Sequence, residues 1–285
     1  MTETAPTNDP ETLSRWVGRQ ETAEDVIDAR PARLMASLFP GMAPPGEGTA
    51  LPPVWHWVYF LDAAPLDALG RDGHPRRGGF LPPVALPRRM WAGGRLTFPR
   101  GLRIGDRAQR TSTILSVAPK QGRTGPLCFV TVRHEVTVNG AVALTEEQDI
   151  VYREDPTPDA PKPAPPAAPA PTPAQATVTP SPVMLFRYSA LTFNGHRIHY
   201  DRGYATQTEG YDGLVFHGPL TATLLAAHAE RMAGRRLAQF RFRGVSPLVD
   251  TAPFTIDAAC EGDSARLWAA TPSGRLAMEA QAGFA

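Results

Sequence analysis

The chain has 285 residues, 42% of them hydrophobic, and a formal net charge of +1 at pH 7. This length suits one large domain or two of ordinary size, and the hydrophobic fraction is sufficient for a substantial core. Since the charges form no long run of one sign, the concentrated basic face that nucleic-acid-binding proteins use is not expected.

Cysteine content and the N-terminus bear on the compartment. Two cysteines, Cys128 and Cys260, are too few for a disulfide framework and fit no zinc-site spacing. The N-terminal stretch MTETAPTNDPETLSRW has neither a basic start nor an apolar run, and no segment approaches about 18 consecutive apolar residues. We therefore expect a reduced, cytoplasmic protein with no membrane span.

The elements predicted in residues 1–155 are antiparallel strands. Runs such as TSTILSVA, PLCFVTVRHEVTV and AVALTEEQDIVYR alternate apolar and polar residues, and glycine turns such as Asn139-Gly140 separate them. Alternation with a period of two is typical of strands that bury one face. We expect this half to form an N-terminal domain built on an antiparallel sheet.

Residues 156–182 read PTPDAPKPAPPAAPAPTPAQATVTPSP and contain eleven prolines. Because proline fixes φ and lacks a backbone N–H, this segment is expected to form neither a helix nor an inner strand. It is interpreted as a semi-rigid polyproline II spacer, roughly 3 Å long per residue, that leads to a C-terminal domain of residues 183–285. Exchange of residues 161–173 for a Gly/Ser tract should then barely change stability. Composition leaves open whether the halves pack together or are joined by a mobile tether.

The C-terminal domain is predicted to repeat the N-terminal one. Residues 95–111, RLTFPRGLRIGDRAQRT, resemble residues 241–255, RFRGVSPLVDTAPFT, and in both segments a phenylalanine lies eight residues before an aspartate. Likewise, NGAVALTEEQ in the first half resembles SGRLAMEAQ in the second. The clearest helix, residues 218–234, has Pro219 in its first turn and Gly234 at its end. Together these features predict a duplicated α+β unit in which a sheet wraps around a helix.

The densest cluster of hydrogen-bonding side chains is YSALTFNGHRIHYDRGYA, residues 188–205, with two histidines three residues apart. The longer stretch FNGHRIHYDRGYATQTEGYDGLVFHGPL resembles the hydratase motif of the MaoC-type hotdog proteins. The branch it resembles includes mesaconyl-C4-CoA hydratase, itaconyl-CoA hydratases and type 2 hydroxyacyl-thioester dehydratases. RRMWAGGRLTF, GRTGPLCFVTVRHE and DIVYRE are similar to the first half of that branch. The resemblance implies an α+β double hotdog: two units, each an antiparallel sheet around a helix, joined by the Pro-rich linker.

The motif of that family has the general form Asp-x-Asn-Pro-x-His, and its aspartate and histidine position a water. Residues 194–199 occupy the motif here. His199 matches the catalytic histidine, whereas Asn194 stands in place of the aspartate; an amide can orient a water but cannot take its proton. Arg197 replaces the proline. No counterpart of this motif is found in residues 1–155, so we interpret that half as a degenerate hotdog and expect one active site per chain.

The chemistry that the resemblance implies needs a base and an oxyanion donor. Water addition to a C=C bond conjugated to a thioester requires a base near neutral pH, and histidine has a suitable ordinary pKa of about 6.5. Negative charge then develops on the thioester oxygen, which free N–H groups at a helix N-terminus can stabilise. His199 is therefore the candidate base, Asn194 the candidate group that orients the water, and the Gly218 N–H the candidate oxyanion donor.

Five further residues are predicted to contact the substrate: Arg197, Tyr200, Asp201, His217 and Arg231. Arg197 is either a surface charge or the partner of a free carboxylate on the acyl chain. Asp201 either caps the helix that follows or joins a proton relay, and Asn194 could merely cap a turn. The phosphates of coenzyme A need basic partners, for which the candidates are Arg231, Arg235, Arg236 and Arg123.

The resemblance implies a hydro-lyase that reversibly hydrates an unsaturated acyl-CoA, with mesaconyl-C4-CoA (giving citramalyl-CoA) or itaconyl-CoA as the expected substrate. The alternatives are an (R)-3-hydroxyacyl-thioester dehydratase of fatty-acid metabolism, a hotdog thioesterase and a non-catalytic acyl-CoA-binding protein. No cofactor is expected beyond the coenzyme A of the substrate. No Glu or Cys completes His196-x-x-His199 at a recognised spacing, so no metal is expected, and His196 is interpreted as structural or as a residue that supports the catalytic side chains. A homodimer or larger homo-oligomer is expected.

Overall fold

A computed structural model describes residues 5–122, 125–155 and 164–285 of the chain. Within these residues the strands are β1 (Gln20–Val26), β2 (Arg88–Thr97), β3 (Arg107–Gly122), β4 (Gly125–Val138), β5 (Ala141–Arg153), β6 (Ala176–Val178), β7 (Leu237–Gly244), β8 (Phe254–Glu261), β9 (Ser264–Ala270) and β10 (Leu276–Phe284). The α-helices are α1 (Pro10–Ser14), α2 (Ala29–Ala36), α3 (Pro182–Leu191) and α4 (Gly218–Ala233). Short 3-10 segments occur at Trp55–Val58, Leu66–Ala68 and Arg197–His199, and a π-helix occurs at Tyr204–Thr208.

One antiparallel sheet joins both halves. Its strand order is β1-β3-β4-β5-β2-β7-β10-β9-β8-β6, so β2 and β7 lie at the centre. From the centre outward, β2-β5-β4-β3-β1 in the first half corresponds to β7-β10-β9-β8-β6 in the second. The order is the same in both halves, which confirms the predicted duplication. The segments predicted to be repeats meet at this centre, where Arg95 pairs with Arg241.

Helix α4 packs against the sheet of the second half. It begins at Gly218, has Pro219 in its first turn, and is followed by Gly234, whose φ of 63° is the left-handed conformation that closes many helices. Leu220 and Leu225 are among its buried residues, and the helix contacts β7, β8, β9 and β10. The first half carries the shorter α2, of eight residues, and a 3-10 segment after it. None of the helices in the described ranges is long and apolar enough to cross a membrane.

Both halves contribute to one hydrophobic core. Met35 and Trp55 from the first half belong to the same cluster of buried side chains as Leu225 and Phe240 from the second. Domains on a mobile tether each bury their own core and share few contacts. The shared core therefore decides between the two arrangements that composition left open, and the halves pack together.

The C-terminal part of the predicted spacer, residues 164–178, packs on the second half. Backbone hydrogen bonds join Pro166 and Ala168 to the turn between β9 and β10, and Ala176–Val178 forms the edge strand β6 beside β8. The prediction of a spacer is therefore wrong here. An edge strand needs backbone donors on only one side, and the stretch AQATV that contains β6 has no proline. Residues 156–163 of the predicted spacer lie outside the described residues.

The packing of this segment can be tested at Thr172. Its Oγ1 and its backbone N–H donate to the carboxylate of Asp257 at 2.5 and 2.9 Å, and Asp257 is 0% exposed. Thr172→Val keeps the shape but removes one donor from a buried carboxylate, which should lower the free energy of unfolding by about 1–3 kcal/mol. Urea unfolding followed by circular dichroism measures the change. Thr177→Val, at an exposed position of β6, is the control; equal stability of both variants and wild type would contradict the packing.

Candidate active site

The motif segment turns back directly after α3. Ser189 O accepts the N–H of Asn194, and Phe193 takes a left-handed φ of 49°. The side-chain Oδ1 of Asn194 accepts the backbone N–H of His196 at 3.0 Å. Asn194 thus closes the turn that leads into the 3-10 segment Arg197–His199, which is the capping role that the sequence left open. Its role in orienting a water stays a prediction.

His199 has the geometry of a base. The residue is 6% exposed, and its Nδ1 lies 2.7 Å from Val215 O. Because a carbonyl oxygen can only accept, Nδ1 carries the hydrogen and the lone pair of the neutral ring is on Nε2. Burial lowers the pKa of His199 to about 4, although the hydrogen bond to Val215 acts in the opposite direction. The ring is therefore neutral near pH 7 and can accept a proton at Nε2.

His217 supports His199 from behind. The two rings stack with centroids 3.6 Å apart and planes 18° apart, and Nε2 of His217 lies 2.9 Å from Ser189 Oγ. His217 is 0% exposed, which favours a structural role over its predicted contact with the substrate. Burial, with His199 and His196 adding to it, lowers the pKa of His217 well below its usual value. His217 therefore stays neutral, and a protonated His199 has no second positive charge stacked against it.

Gly218 begins α4 immediately after His217. The first N–H groups of a helix have no partner within the helix, and they lie at the positive end of its dipole. A Cβ built on Gly218 would meet no atom within 4 Å, so the space beside this residue is open. The Gly218 N–H therefore remains the candidate oxyanion donor. It belongs to the residue directly after His217, whose ring stacks on that of His199.

Arg197 and Asp201 form a partly exposed ion pair. Nε and Nη2 of Arg197 donate to Asp201 Oδ2 at 3.1 and 2.7 Å, and the guanidinium lies 4.3 Å from the centre of the Tyr204 ring. Asp201 Oδ1 accepts the N–H of Tyr204, the first residue of the π-helix, at 3.0 Å. Hydrogen bonds from the Tyr204 N–H and then from Arg197 lower the pKa of Asp201. Because both groups have partners already, the geometry favours structural roles over the predicted contacts with the substrate.

Tyr200 connects the end of the motif to its start. Its hydroxyl donates to Gly195 O at 2.9 Å, while half of the residue remains exposed to solvent. This hydrogen bond holds the first and last parts of the motif together. A contact between Tyr200 and a substrate stays a prediction.

The arginines predicted to bind the phosphates of coenzyme A lie away from His199. Arg231 is in the last turn of α4, thirteen residues after Gly218 and so about 20 Å along the helix axis. Arg235 and Arg236 follow the same end of the helix, and each forms an ion pair with a carboxylate. Arg123 lies outside the described residues. The structure therefore does not bring Arg231, Arg235 or Arg236 to the motif.

Two residues from the first half, Asp72 and His74, lie against the motif, which the sequence did not predict. His74 Nδ1 lies 2.9 Å from Asp72 Oδ2, and the centre of the His74 ring lies 4.3 Å from that of His196. The His196 ring in turn lies 5.4 Å from the His199 ring. Four imidazoles, those of His74, His196, His199 and His217, thus form a row from the first half to α4. The first half, interpreted as a degenerate hotdog because it lacks the motif, thus places two side chains beside the motif of the second half.

A small pocket with about 210 Å³ of free space, its open mouth included, lies beside this row; it is lined by Asp72, Arg88, Arg89, Met90, His196, Glu209 and Tyr211. Arg88 and Glu209 form a buried ion pair in its wall. Asp72, His74 and His196 offer ligand atoms within 4.8 Å of one another, an arrangement that can also hold a metal ion. Burial, and after it the charge of Arg89, lowers the pKa of His74. The positive charge of Arg89, which acts on His74, also opposes a bound cation.

Residues 54–250 match the model of the family described as hydroxyacyl-thioester dehydratase type 2. Among relatives, the mesaconyl-C(4)-CoA hydratase of Chloroflexus aurantiacus is 49% identical over 266 residues, which cover 93% of this chain and 95% of that protein. The motif, the family model and this relative therefore indicate the same class of enzyme, a hydro-lyase that acts on acyl thioesters.

Solved structures share the fold. HtdX of Mycobacterium tuberculosis superposes with a TM-score of 0.68 at 19% identity, covering 93% of this chain and 99% of that one. A second protein of that organism, described as having a double hotdog fold, superposes with a TM-score of 0.52 at 14% identity, covering 94% and 96%. Together with the strand order, these likenesses confirm the predicted α+β double hotdog.

Proposed function

The chain belongs to the hydroxyacyl-thioester dehydratase type 2 family, and we propose that it catalyses the reversible hydration of an unsaturated acyl-CoA thioester. Its substrate is mesaconyl-C4-CoA, which gives citramalyl-CoA; the 49% identity to a mesaconyl-C(4)-CoA hydratase supports this choice over itaconyl-CoA. The observation that carries the chemistry is the state of His199. Its Nδ1 is bonded to Val215 O, which leaves Nε2 as a proton acceptor, and its ring stacks on the residue that precedes α4.

The reaction follows from these positions. Nε2 of His199 takes a proton from a water molecule while the water oxygen bonds to the β-carbon of the acyl chain. The π electrons of the C=C bond move toward the thioester, and the Gly218 N–H stabilises the charge on its oxygen. The protonated His199 then gives its proton to the α-carbon, which restores the neutral ring and the thioester carbonyl. One water is added in total, and dehydration follows the same steps in reverse.

Incubation of the full-length protein with a panel of enoyl-CoAs tests the function. A hydratase lowers the absorbance of the conjugated enoyl thioester without releasing thiol, a thioesterase releases thiol, and a binding protein does neither. We expect mesaconyl-C4-CoA to lose absorbance with no free thiol. Thiol release, or no change with any member of the panel, would contradict the proposal.

The second candidate is an (R)-3-hydroxyacyl-thioester dehydratase of fatty-acid metabolism, which the family match over residues 54–250 favours. Mesaconyl-C4-CoA carries a carboxylate and a methyl group on the β-carbon, whereas a straight-chain 2-enoyl-CoA carries neither charge nor branch there. A higher kcat/KM for crotonyl-CoA and longer 2-enoyl-CoAs than for mesaconyl-C4-CoA would therefore favour the second candidate.

The pH dependence of hydration should follow the low pKa of His199. The ring accepts a proton only when neutral, and burial lowers its pKa to about 4. We expect kcat/KM for crotonyl-CoA to stay level from about pH 8 to about pH 5 and to fall as the pH approaches 4, since this ratio reports the free enzyme. An unperturbed histidine would lose half of its basic form near pH 6.5. Half-maximal activity at that pH in folded protein would contradict the assigned environment of His199.

We also propose that hydration needs no metal ion. The hydrogen bond between His74 and Asp72 accounts for their closeness, and the nearby Arg89 disfavours a cation. Dialysis against EDTA should therefore leave kcat for mesaconyl-C4-CoA unchanged within error. A loss of activity that added zinc or another divalent ion restores would show that Asp72, His74 and His196 act as ligands.

A homodimer or larger homo-oligomer in the cytoplasm is also proposed. Val183 and Phe186 lie three residues apart on α3, and Phe193 follows the helix; all three are exposed. Exposed apolar side chains close together are typical of surfaces that another chain covers. Sedimentation velocity of the purified protein determines the oligomeric state.

A further inference from the structure

The first half of the chain is docked on the motif by a close backbone contact. Gly73 has a φ of 86°, and a Cβ built on it would lie 2.0 Å from Gly195 O, so only glycine fits between the two segments. Beside this contact, the Arg197 N–H donates to Asp72 O at 2.9 Å. The loop that carries Asp72 and His74 therefore has a defined position relative to the motif.

The side chains at this contact form a path toward His199. Asp72 accepts the Nδ1–H of His74, which holds the His74 ring in one orientation. His74 packs on His196 at 4.3 Å between ring centres, and His196 meets His199 edge to face at 5.4 Å. Burial, with His74 and His199 adding to it, lowers the pKa of His196 to about 2. The ring of His196 is thus a neutral imidazole, with one N–H donor and one acceptor nitrogen.

Hydration needs a second group that holds the water. The base removes a proton, but the attacking lone pair must also be aimed at the β-carbon, and misorientation is costly in rate. Asn194, which occupies the aspartate position of the motif, already uses Oδ1 on the backbone of His196. The His196 ring, by contrast, lines the pocket between the halves. The two rings meet edge to face, so a water that lies beside this contact can hydrogen-bond to one nitrogen of each ring.

We infer that His196 orients the attacking water opposite His199, and that Asp72 and His74 of the first half are positioning residues that hold the His196 ring. The inference rests on the proposed hydration and deepens it, because the active site is then built from both halves of the chain. In this arrangement the carboxylate of Asp72 acts on the water indirectly, through His74 and His196. In the general motif the carboxylate belongs to position 194 itself.

A double-variant cycle on the full-length protein tests the inference. His196→Ala should lower kcat for mesaconyl-C4-CoA about a hundredfold and Asp72→Ala about tenfold or more, with KM within about threefold, because water orientation and not substrate binding is lost. Asp72→Asn keeps one oxygen for the Nδ1–H of His74 but turns its NH2 toward the His74 backbone N–H, which Asp72 Oδ1 accepts at 3.1 Å, so it should lose less kcat than Asp72→Ala. Asp155→Ala is the control, because this carboxylate pairs with the nearby Arg71 and lies outside the path.

The double variant gives the decisive result. Because Asp72 acts through His196, Asp72→Ala with His196→Ala should have the kcat of His196→Ala alone. A double variant whose loss of kcat equals the product of the two single losses would overturn the inference. An Asp72→Ala protein with kcat within about threefold of wild type would overturn it as well. If thermal unfolding shows that Asp72→Ala folds poorly, His74→Ala replaces it in the same cycle. A wild-type protein that hydrates no enoyl-CoA would overturn the proposed function instead, whereas an active wild type with multiplied losses overturns the inference alone.

Discussion

His199→Ala is expected to lower kcat for mesaconyl-C4-CoA by about a hundredfold or more, the usual scale for the loss of a general base. Nε2 of His199 has its lone pair because Nδ1 is bonded to Val215 O at 2.7 Å. The neighbouring rings do not replace it. Burial lowers the pKa of His196 to about 2, below the value of about 4 for His199, and His217 is 0% exposed. Steady-state kinetics of wild type and variant measure the loss.

Controls must separate the lost base from a damaged fold. His199→Asn keeps an N–H that can donate to Val215 O, so it should lose as much activity as His199→Ala while retaining more stability. His228→Asn changes another buried histidine, near the far end of α4, and should keep kcat within about threefold of wild type. A well-folded His199→Ala protein with kcat within a few-fold of wild type would place the base elsewhere.

The sheet and α4 could be predicted because their residues carry local patterns. The period-two runs AVALTEEQDIVYR and PLCFVTVRHEVTV form β5 and most of β4, and Pro219 and Gly234 mark the ends of α4. Strand β6 could not be predicted in this way. Three residues within a Pro-rich segment are too few to show a period, and their pairing with β8 makes them a strand.

The candidate site could be predicted only where its residues carry a local sequence pattern. His199 and Gly218 follow from a motif and from a helix start, both of which are local. Asp72 and His74 lie in the Gly/Pro-rich run RDGHPRRGG, which reads as a loop, and only the packing of the two halves brings them to the motif. Arg197 did carry a local signal, since it lies four residues before Asp201, a spacing at which opposite charges pair on helical turns.

Gly218→Pro is expected to lower kcat by about a hundredfold to a thousandfold, the scale for the loss of one oxyanion-hole donor. Proline has no N–H, so the change removes the proposed contact with the thioester oxygen. The first position of a helix otherwise suits proline, because its fixed φ matches the helix and the N–H there has no helical partner. His217 has φ −61° and ψ 127°, the extended conformation that a residue before proline adopts. Position 218 also precedes Pro219, which disfavours the helical region for any residue with a Cβ, so circular dichroism must show that α4 forms in the variant.

Gly218→Ala is the matched control for this change. It keeps the N–H and adds a methyl group where a Cβ meets no atom within 4 Å, so the protein itself should accommodate it. We expect Gly218→Ala to keep kcat within about tenfold of wild type, below the loss that removal of the donor causes, and any obstruction of the substrate to appear in KM. If Gly218→Pro folds as well as Gly218→Ala and keeps kcat within a few-fold of wild type, another donor holds the oxyanion, and the Leu220 N–H in the same turn is the next to test. The two variants thus separate the loss of a hydrogen bond from the loss of space, which one substitution at this position cannot do.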